Sequence, residues 1–186
     1  MLHDSLAQDL YTEICRIPLI DPHTHINPRR PTARNLDDLL GYHYYTELAH
    51  SAGMDRALLE PGTDVRERLR GILYHLTQLD NTAPYMWFLE IARAFLGFEG
   101  DRVTLTDFTW LWDTAERVMT ESGREEQILQ KANLEKVFLT SDFDDPLTGF
   151  DTKRYVPCLR TDDLVFHLDK AEVQERLQKV SLAARQ

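Results

Sequence analysis

Residues 17–25 read Ile17-Pro18-Leu19-Ile20-Asp21-Pro22-His23-Thr24-His25. The first five form a short apolar run that turns polar at its end. That is the pattern of a buried strand, with Pro18 near the start, where a missing N–H is tolerated. Side chains capable of chemistry follow at once: Asp21, His23, Thr24, His25 and Asn27. In an extended chain, residues i and i+2 face the same side, so His23 and His25 converge. Two imidazoles so placed suit one ion of zinc or a first-row neighbour. They are not a complete set, because a catalytic zinc takes three protein ligands and an open position. The bare tripeptide is common by chance; its place directly after a strand gives it weight.

Outward from this stretch, the chain alternates between helix and strand. Upstream, Ser5 with Gln8 predicts a capping-box start for a helix carrying Leu6, Leu10 and Ile14. Downstream, residues 35–132 read as helix almost throughout. Leu36, Leu39, Leu40, Tyr44 and Leu48 make one stripe, with Gly53 as its stop. Asp64 with Glu67 opens a second helix, which carries Val65, Leu69, Ile72, Leu73, Leu76 and Leu79. Pro84 fits the first turn of a third, with Trp87, Phe88, Ile91 and Phe95 on its apolar side. Thr106 starts a fourth, and residues 124–132 form a polar fifth. The tryptophans, Trp87, Trp110 and Trp112, all fall in this block and are expected to pack in its core.

Strand character returns at residues 136–140 and again at 154–160. Between them lies the turn cluster Asp144-Asp145-Pro146. Asp162 or Asp163 then caps a last helical region, which runs with breaks to Ala184. Strands separated by long segments favour parallel pairing through crossovers. Each strand ends in a burst of polar residues, as at the carboxyl ends of strands in α/β folds, where sites lie.

Composition removes several classes of function. The 186 residues carry 21 Lys+Arg against 31 Asp+Glu, a net charge of −10. That balance argues against a nucleic-acid partner, which needs clustered Lys and Arg. No apolar run approaches the roughly 20 residues that span a bilayer, so no membrane partner is expected. The start, MLHDSLAQDL, has no basic n-region or apolar h-region of a secretory signal. Cys15 and Cys158 are too few for a disulfide scaffold and read as reduced thiols of a cytoplasmic protein.

The segment from Pro18 to His25 resembles the first strand of the amidohydrolase superfamily, whose members are metal-dependent (β/α)8 barrels. Within it, the chain is similar to the uronate (glucuronate) isomerases over about residues 5–165. The likeness includes Gly41-Tyr42-His43-Tyr44, which resembles the family's His-Tyr motif in a helical insertion after strand one. It includes Thr140-Ser141-Asp142 with Asp145-Pro146, and Tyr155-Val156-Pro157-Cys158-Leu159-Arg160-Thr161-Asp162, similar to a Val-Pro-x-x-Arg-x-Asp motif.

The resemblance implies an α/β fold: the N-terminal part of a (β/α)8 TIM barrel with a large helical insertion after strand 1. Residues 1–34 would hold the first helix and barrel strand 1, 35–132 the insertion, and 133–186 strands 2 and 3 with the following helix. It implies an aldose–ketose isomerase of hexuronate catabolism, acting on D-glucuronate or D-galacturonate. His23 and His25 would be metal ligands, with zinc as the first choice of divalent ion. His43 and Tyr44 would be catalytic and Arg160 would bind the substrate carboxylate. The partner implied is a small hexuronate, with room for a homo-oligomer.

Each assignment has a plainer counterpart. His43 and Tyr44 could be helix-surface aromatics, Arg160 a partner of Asp162 or Asp163, and Asp142 a turn cap. Asp21 either orients a histidine or caps its turn. Two departures from the family stand out. The basic stretch expected after the His-Tyr motif is here Tyr45-Thr46-Glu47-Leu48-Ala49-His50-Ser51-Ala52-Gly53, without arginines. Barrels of this class take about 250 residues before insertions, so the expectation is an N-terminal portion of a longer enzyme or a truncated product. The family's late-strand metal-binding aspartate and its nearby arginine would lie beyond residue 186. Competing readings are a metal-dependent hydrolase of the same superfamily and an inactive helical interaction module.

Overall fold

The structure is a computed structural model and describes residues 2–183. In chain order its main elements are α1 (Leu2–Arg16), β1 (Leu19–Thr24), α2 (Leu36–Leu40), α3 (His43–Ser51) and α4 (Val65–Leu76). Then come α5 (Ala83–Ile91), α6 (Phe108–Val118), α7 (Arg124–Lys131), β2 (Leu134–Leu139), β3 (Tyr155–Val156), α8 (Asp162–Phe166) and α9 (Ala171–Ala183). They fall into two compact units. One comprises residues 1–31 and 129–186, the other residues 32–128. No described helix is long and apolar enough to cross a membrane.

The first unit holds the sheet, in the order β1-β2-β3, all parallel. In β1–β2 the register sets Leu19 beside Leu134 and Thr24 beside Leu139. In β2–β3 it sets Val137 beside Tyr155. A further parallel bridge joins Ser141 to Leu159. Parallel neighbours need a long crossover. The helical unit supplies the first crossover, and the loop over residues 140–154 supplies the second. Val137, Leu139 and Tyr155 form a small core with Ile26, Leu134 and Phe150 packed against it.

This corrects the expected (β/α)8 TIM barrel. The described residues are predominantly helical and their sheet is open. A barrel closes only when its last strand hydrogen-bonds to its first, and here β1 and β3 each pair only with β2. The edge position also overturns the reading of β1 as buried. Leu19 and Ile20 are each about half exposed, at 51% and 50%. The strand is apolar because of its sequence, but an edge has one fewer neighbour to cover it. Helix α1 begins at Leu2, so Ser5 lies inside it and not at its cap. No Gly or Pro precedes Ser5 to stop the helix there. The last helix is described to Ala183, and the predicted end at Ala184 lies outside the described residues.

The second unit is a helical array with its own core. Asn35 caps α2 by accepting from the Asp38 N–H at 2.7 Å. The stripe expected from Leu36 to Leu48 is broken at Gly41, where a Cβ would stand 2.5 Å from the Asp37 carbonyl oxygen. Restarting at His43 changes the helical phase. Tyr45 becomes core at 5% exposure and Tyr44 stands out at 51%. Burial pushes the Tyr45 hydroxyl up to about 12. Gly53 follows α3 with φ +100°, a conformation that glycine adopts without a Cβ penalty.

Asp64 caps α4 by accepting from the Glu67 N–H at 2.9 Å. Leu69, Ile72, Leu73 and Leu76 are then fully buried on one face, whereas Val65 is exposed in the first turn and Leu79 lies past the helix end. Pro84 sits in the first turn of α5, which buries Tyr85, Phe88 and Leu89. The next apolar helix, α6, starts at Phe108, two residues after the predicted Thr106. The Asp107 carboxylate accepts from the Thr104 N–H at 2.8 Å, and a 3-10 turn at Leu105–Asp107 leads into α6. The tryptophans split, against expectation. Trp112 packs on the core under the Arg66 guanidinium, whereas Trp87 and Trp110 are exposed. The buried face of α5 is already filled by Tyr85, Phe88 and Leu89, which leaves Trp87 on the outer side.

Candidate functional site

Three chain segments leave the sheet at its carboxyl edge and bring polar groups together. His25 follows β1, Thr140 follows β2, and Arg160 follows the strand-like segment that begins at β3. The Thr140 hydroxyl donates to the Thr24 carbonyl at 2.9 Å, and its oxygen lies 3.3 Å from His25 Nδ1. This pins the end of β1 to the end of β2. On the other side, the Arg160 N–H donates to the Ser141 carbonyl and the Ser141 N–H to the Cys158 carbonyl, both at 2.8 Å. Parallel pairing thus continues past β3 and delivers Arg160 to the same edge as His25. A cleft of about 570 Å³ opens there, lined by His25, Thr140, Asp142, Asp144, Arg160 and Arg176, with Ile26 and Asp145 beside them.

The His23 and His25 rings stand 5.0 Å apart between centroids and nearly perpendicular, at 88°. Asp21 and His23 lie within β1, where the pairing with β2 is irregular, and the Asp21 carboxylate accepts from the His23 backbone N–H at 3.2 Å. As donors, two imidazoles fit a divalent ion such as zinc. As a set they are incomplete. Among the described residues, no group of three or more His, Cys, Asp or Glu side chains is placed to hold a metal ion.

Arg160 donates from Nε to Asp162 Oδ2 at 2.7 Å. That bond, with the nearby charge of Asp162, pushes the Arg160 pKa further up. The pairing uses one edge of the guanidinium. Among the described residues, no hydrogen bond to its two terminal nitrogens is present, which leaves a two-pronged donor of the kind that matches a carboxylate.

Sequence reading singled out no role for Arg176, which carries the densest set of charged contacts in the cleft. It projects from α9 with its Nε 2.8 Å from Asp144 and Nη1 2.7 Å from Asp163. Its Nη2 reaches Asp142 at 3.1 Å and also bonds Asp144. The guanidinium lies 4.7 Å from the centre of the Phe143 ring. Asp144 is held below the usual carboxylate range, first by its hydrogen bond to Arg176. The available signal in sequence was weak: one arginine in a polar helix, with its acidic partners 13 to 34 positions away.

His43 and Tyr44 belong to the helical unit. They open α3 as part of an exposed aromatic group, with their rings 4.3 Å apart and Tyr42 edge-on to Tyr44 at 5.2 Å. Tyr44 also lines a shallow hollow of about 390 Å³ with Leu48, Pro84 and Trp87. His50 is structural: its ring takes the Met54 carbonyl at 2.9 Å and accepts from Arg56 at 2.7 Å.

No protein-family model and no curated protein matches the chain. Solved structures do. A uronate isomerase from Thermotoga maritima aligns over 92% of this chain and 40% of its own, at 17% identity and a TM-score of 0.77. A glucuronate isomerase from Caulobacter crescentus aligns over 94% of this chain and 41% of its own, at 21% identity and a TM-score of 0.78. This chain therefore spans about two fifths of the length of those proteins. Its backbone has the fold of the matched part of the uronate and glucuronate isomerases.

Proposed function

We propose that this chain serves the interconversion of hexuronates, turning an aldose that carries a carboxylate into its ketose. The substrates would be D-glucuronate, giving D-fructuronate, or D-galacturonate, giving D-tagaturonate. The observation that carries the reading is the shared cleft. A histidine after β1 and an arginine after β3 face one polar space, in a fold otherwise seen in proteins named uronate and glucuronate isomerase.

In this reading the terminal nitrogens of Arg160 take the two carboxylate oxygens, because a planar fork matches a planar anion. His23 and His25 contribute part of the ligand set of a divalent ion, zinc by preference. The open-chain sugar must lose a proton from C2 and gain one at C1. A base must take the C2 proton, and the electron pair left behind forms the C1–C2 double bond of an enediol. An acid must give a proton to the C1 oxygen as that oxygen gains charge. Return of a proton to C1, with loss of one from the C2 hydroxyl, completes the ketose.

The test is exchange in heavy water. With D-glucuronate and zinc present, a complete enzyme that carries this chain should incorporate deuterium and form fructuronate, read by proton NMR. Arg160→Met should raise the Michaelis constant for D-glucuronate by about tenfold, because the two-pronged contact to the carboxylate is lost. Absence of both exchange and ketose with the unaltered complete enzyme would sink the proposal. Release of an alcohol from a glucuronate ester would favour the hydrolase instead.

A further inference from the structure

We propose that Arg176 is a positioning residue: by holding Asp142, Asp144 and Asp163, it keeps Arg160 available to an anionic ligand. The proposal rests on the reading that Arg160 takes the hexuronate carboxylate, and it adds what lets Arg160 do so.

The problem that Arg176 solves is visible in the charges around Arg160. Asp162 already holds its Nε at 2.7 Å. Asp142 and Asp163 also line, with Arg160 and Asp162, a second hollow of about 340 Å³ beside the main cleft. Asp144 lines the main cleft with Arg160. Four carboxylates thus crowd one arginine. Left alone they would repel an incoming carboxylate and would compete for the terminal nitrogens of Arg160.

Arg176 engages three of the four. It spends Nε and one Nη2 bond on Asp144, Nη1 on Asp163 and a second Nη2 bond on Asp142. These partners come from the loop after β2 and from α8, while Arg176 itself comes from α9. Its side chain is only 29% exposed, and Phe143 covers one face of the guanidinium. Partial burial keeps these pairs from being screened as fully exposed ones are. The fourth carboxylate, Asp162, is left to orient Arg160 through Nε. Two arginines then divide the work: Arg176 absorbs the protein's own acids, and the fork of Arg160 faces the cleft.

The test compares two ligands that differ in charge, D-glucuronate and its neutral amide, D-glucuronamide. Dissociation constants come from NMR titration of the whole chain, with folding checked by circular dichroism. The unaltered chain should prefer the acid by about tenfold, as a charge-assisted two-pronged contact predicts. Arg160→Met should abolish the preference. Arg176→Met should reduce it several-fold while leaving amide binding unchanged, and adding Asp142→Asn and Asp163→Asn to that variant should restore it.

If Arg160→Met keeps the preference, the carboxylate assignment fails and takes this inference with it. If Arg160→Met loses the preference but Arg176→Met keeps it, this inference alone fails. Equal weakening of both ligands by Arg176→Met, not restored by the added substitutions, would leave Arg176 a purely structural staple and overturn the proposal. Should Arg176→Met not fold, Asp163→Asn in the otherwise unaltered chain decides. It should strengthen the preference for the acid, and no change would overturn the proposal.

Discussion

Asp144 shows how one side chain makes the cleft sensitive to acid. Its hydrogen bond to Arg176 keeps its folded pKa below the ordinary value, so the fold favours the charged form. A carboxylate of this kind contributes fully above its unfolded pKa of about 4. The contribution drains away as pH falls from there to the folded pKa and is gone below it. Asp144→Asn should therefore lower stability at pH 7 and flatten the stability curve below about pH 4. Urea unfolding across that range would check it, and a variant as acid-sensitive as the parent would refute it. Raising the salt should shrink the difference, because the pair is partly exposed. At this scale the sequence left Arg160 between two readings, substrate contact and pairing with Asp162. The pairing with Asp162 is present at 2.7 Å. It engages Nε alone, with no hydrogen bond from the terminal nitrogens among the described residues.

Among the elements, helix ends were the most legible parts of the chain and helix phases the least. Asp64 and Glu67 announced α4 because a capping interaction depends only on residues three apart. Asp64→Ala should cost about 1 kcal/mol, read as a lower denaturation midpoint at unchanged slope. The phase of α3 was not legible in the same way. Apolar spacing ran unbroken through Gly41, but the close approach of the Asp37 carbonyl there ends α2. Arg68 also holds the Asp37 carboxylate at 2.7 Å and 2.8 Å, so this turn has little freedom to relax. Gly41→Ala should destabilise by about 1 to 3 kcal/mol, the range for overpacked sites. A melting temperature equal to the parent's would show that the turn gives way.

Across the whole molecule, the two units differ sharply in core. The helical unit buries Leu36, Leu40, Leu69, Ile72, Leu73, Leu76, Phe88 and Leu111 completely. The sheet unit has Val137, Leu139 and Tyr155, with Leu19 and Ile20 of β1 half exposed. Local stability follows buried apolar contact and the number of protected backbone bonds. In hydrogen exchange at pH 7, the amides of β1 and β3 should therefore exchange well before those of α4 and α5. Uniform protection across both units would show that they unfold as one. The same exposure predicts binding of an apolar-surface dye, reduced by Ile20→Lys.

By itself, the sequence determined the local features: the two later strands, the cap of α4, the proline in the first turn of α5, and parallel pairing between strands set far apart. It also carried a likeness to the uronate isomerases that the fold comparison supports in backbone form. All of these rest on spacings of a few residues or on an ordered set of short motifs. Only the tertiary structure decided that the sheet is open, that β1 lies at its edge, and that Tyr45 is core while Tyr44 is not. It alone brought Arg176 to Asp142, Asp144 and Asp163. The physical reason is range. A cap or a strand end is set by neighbours in the chain, whereas burial and charge pairing depend on which distant segments meet, and nothing in local spacing encodes a partner 34 residues away.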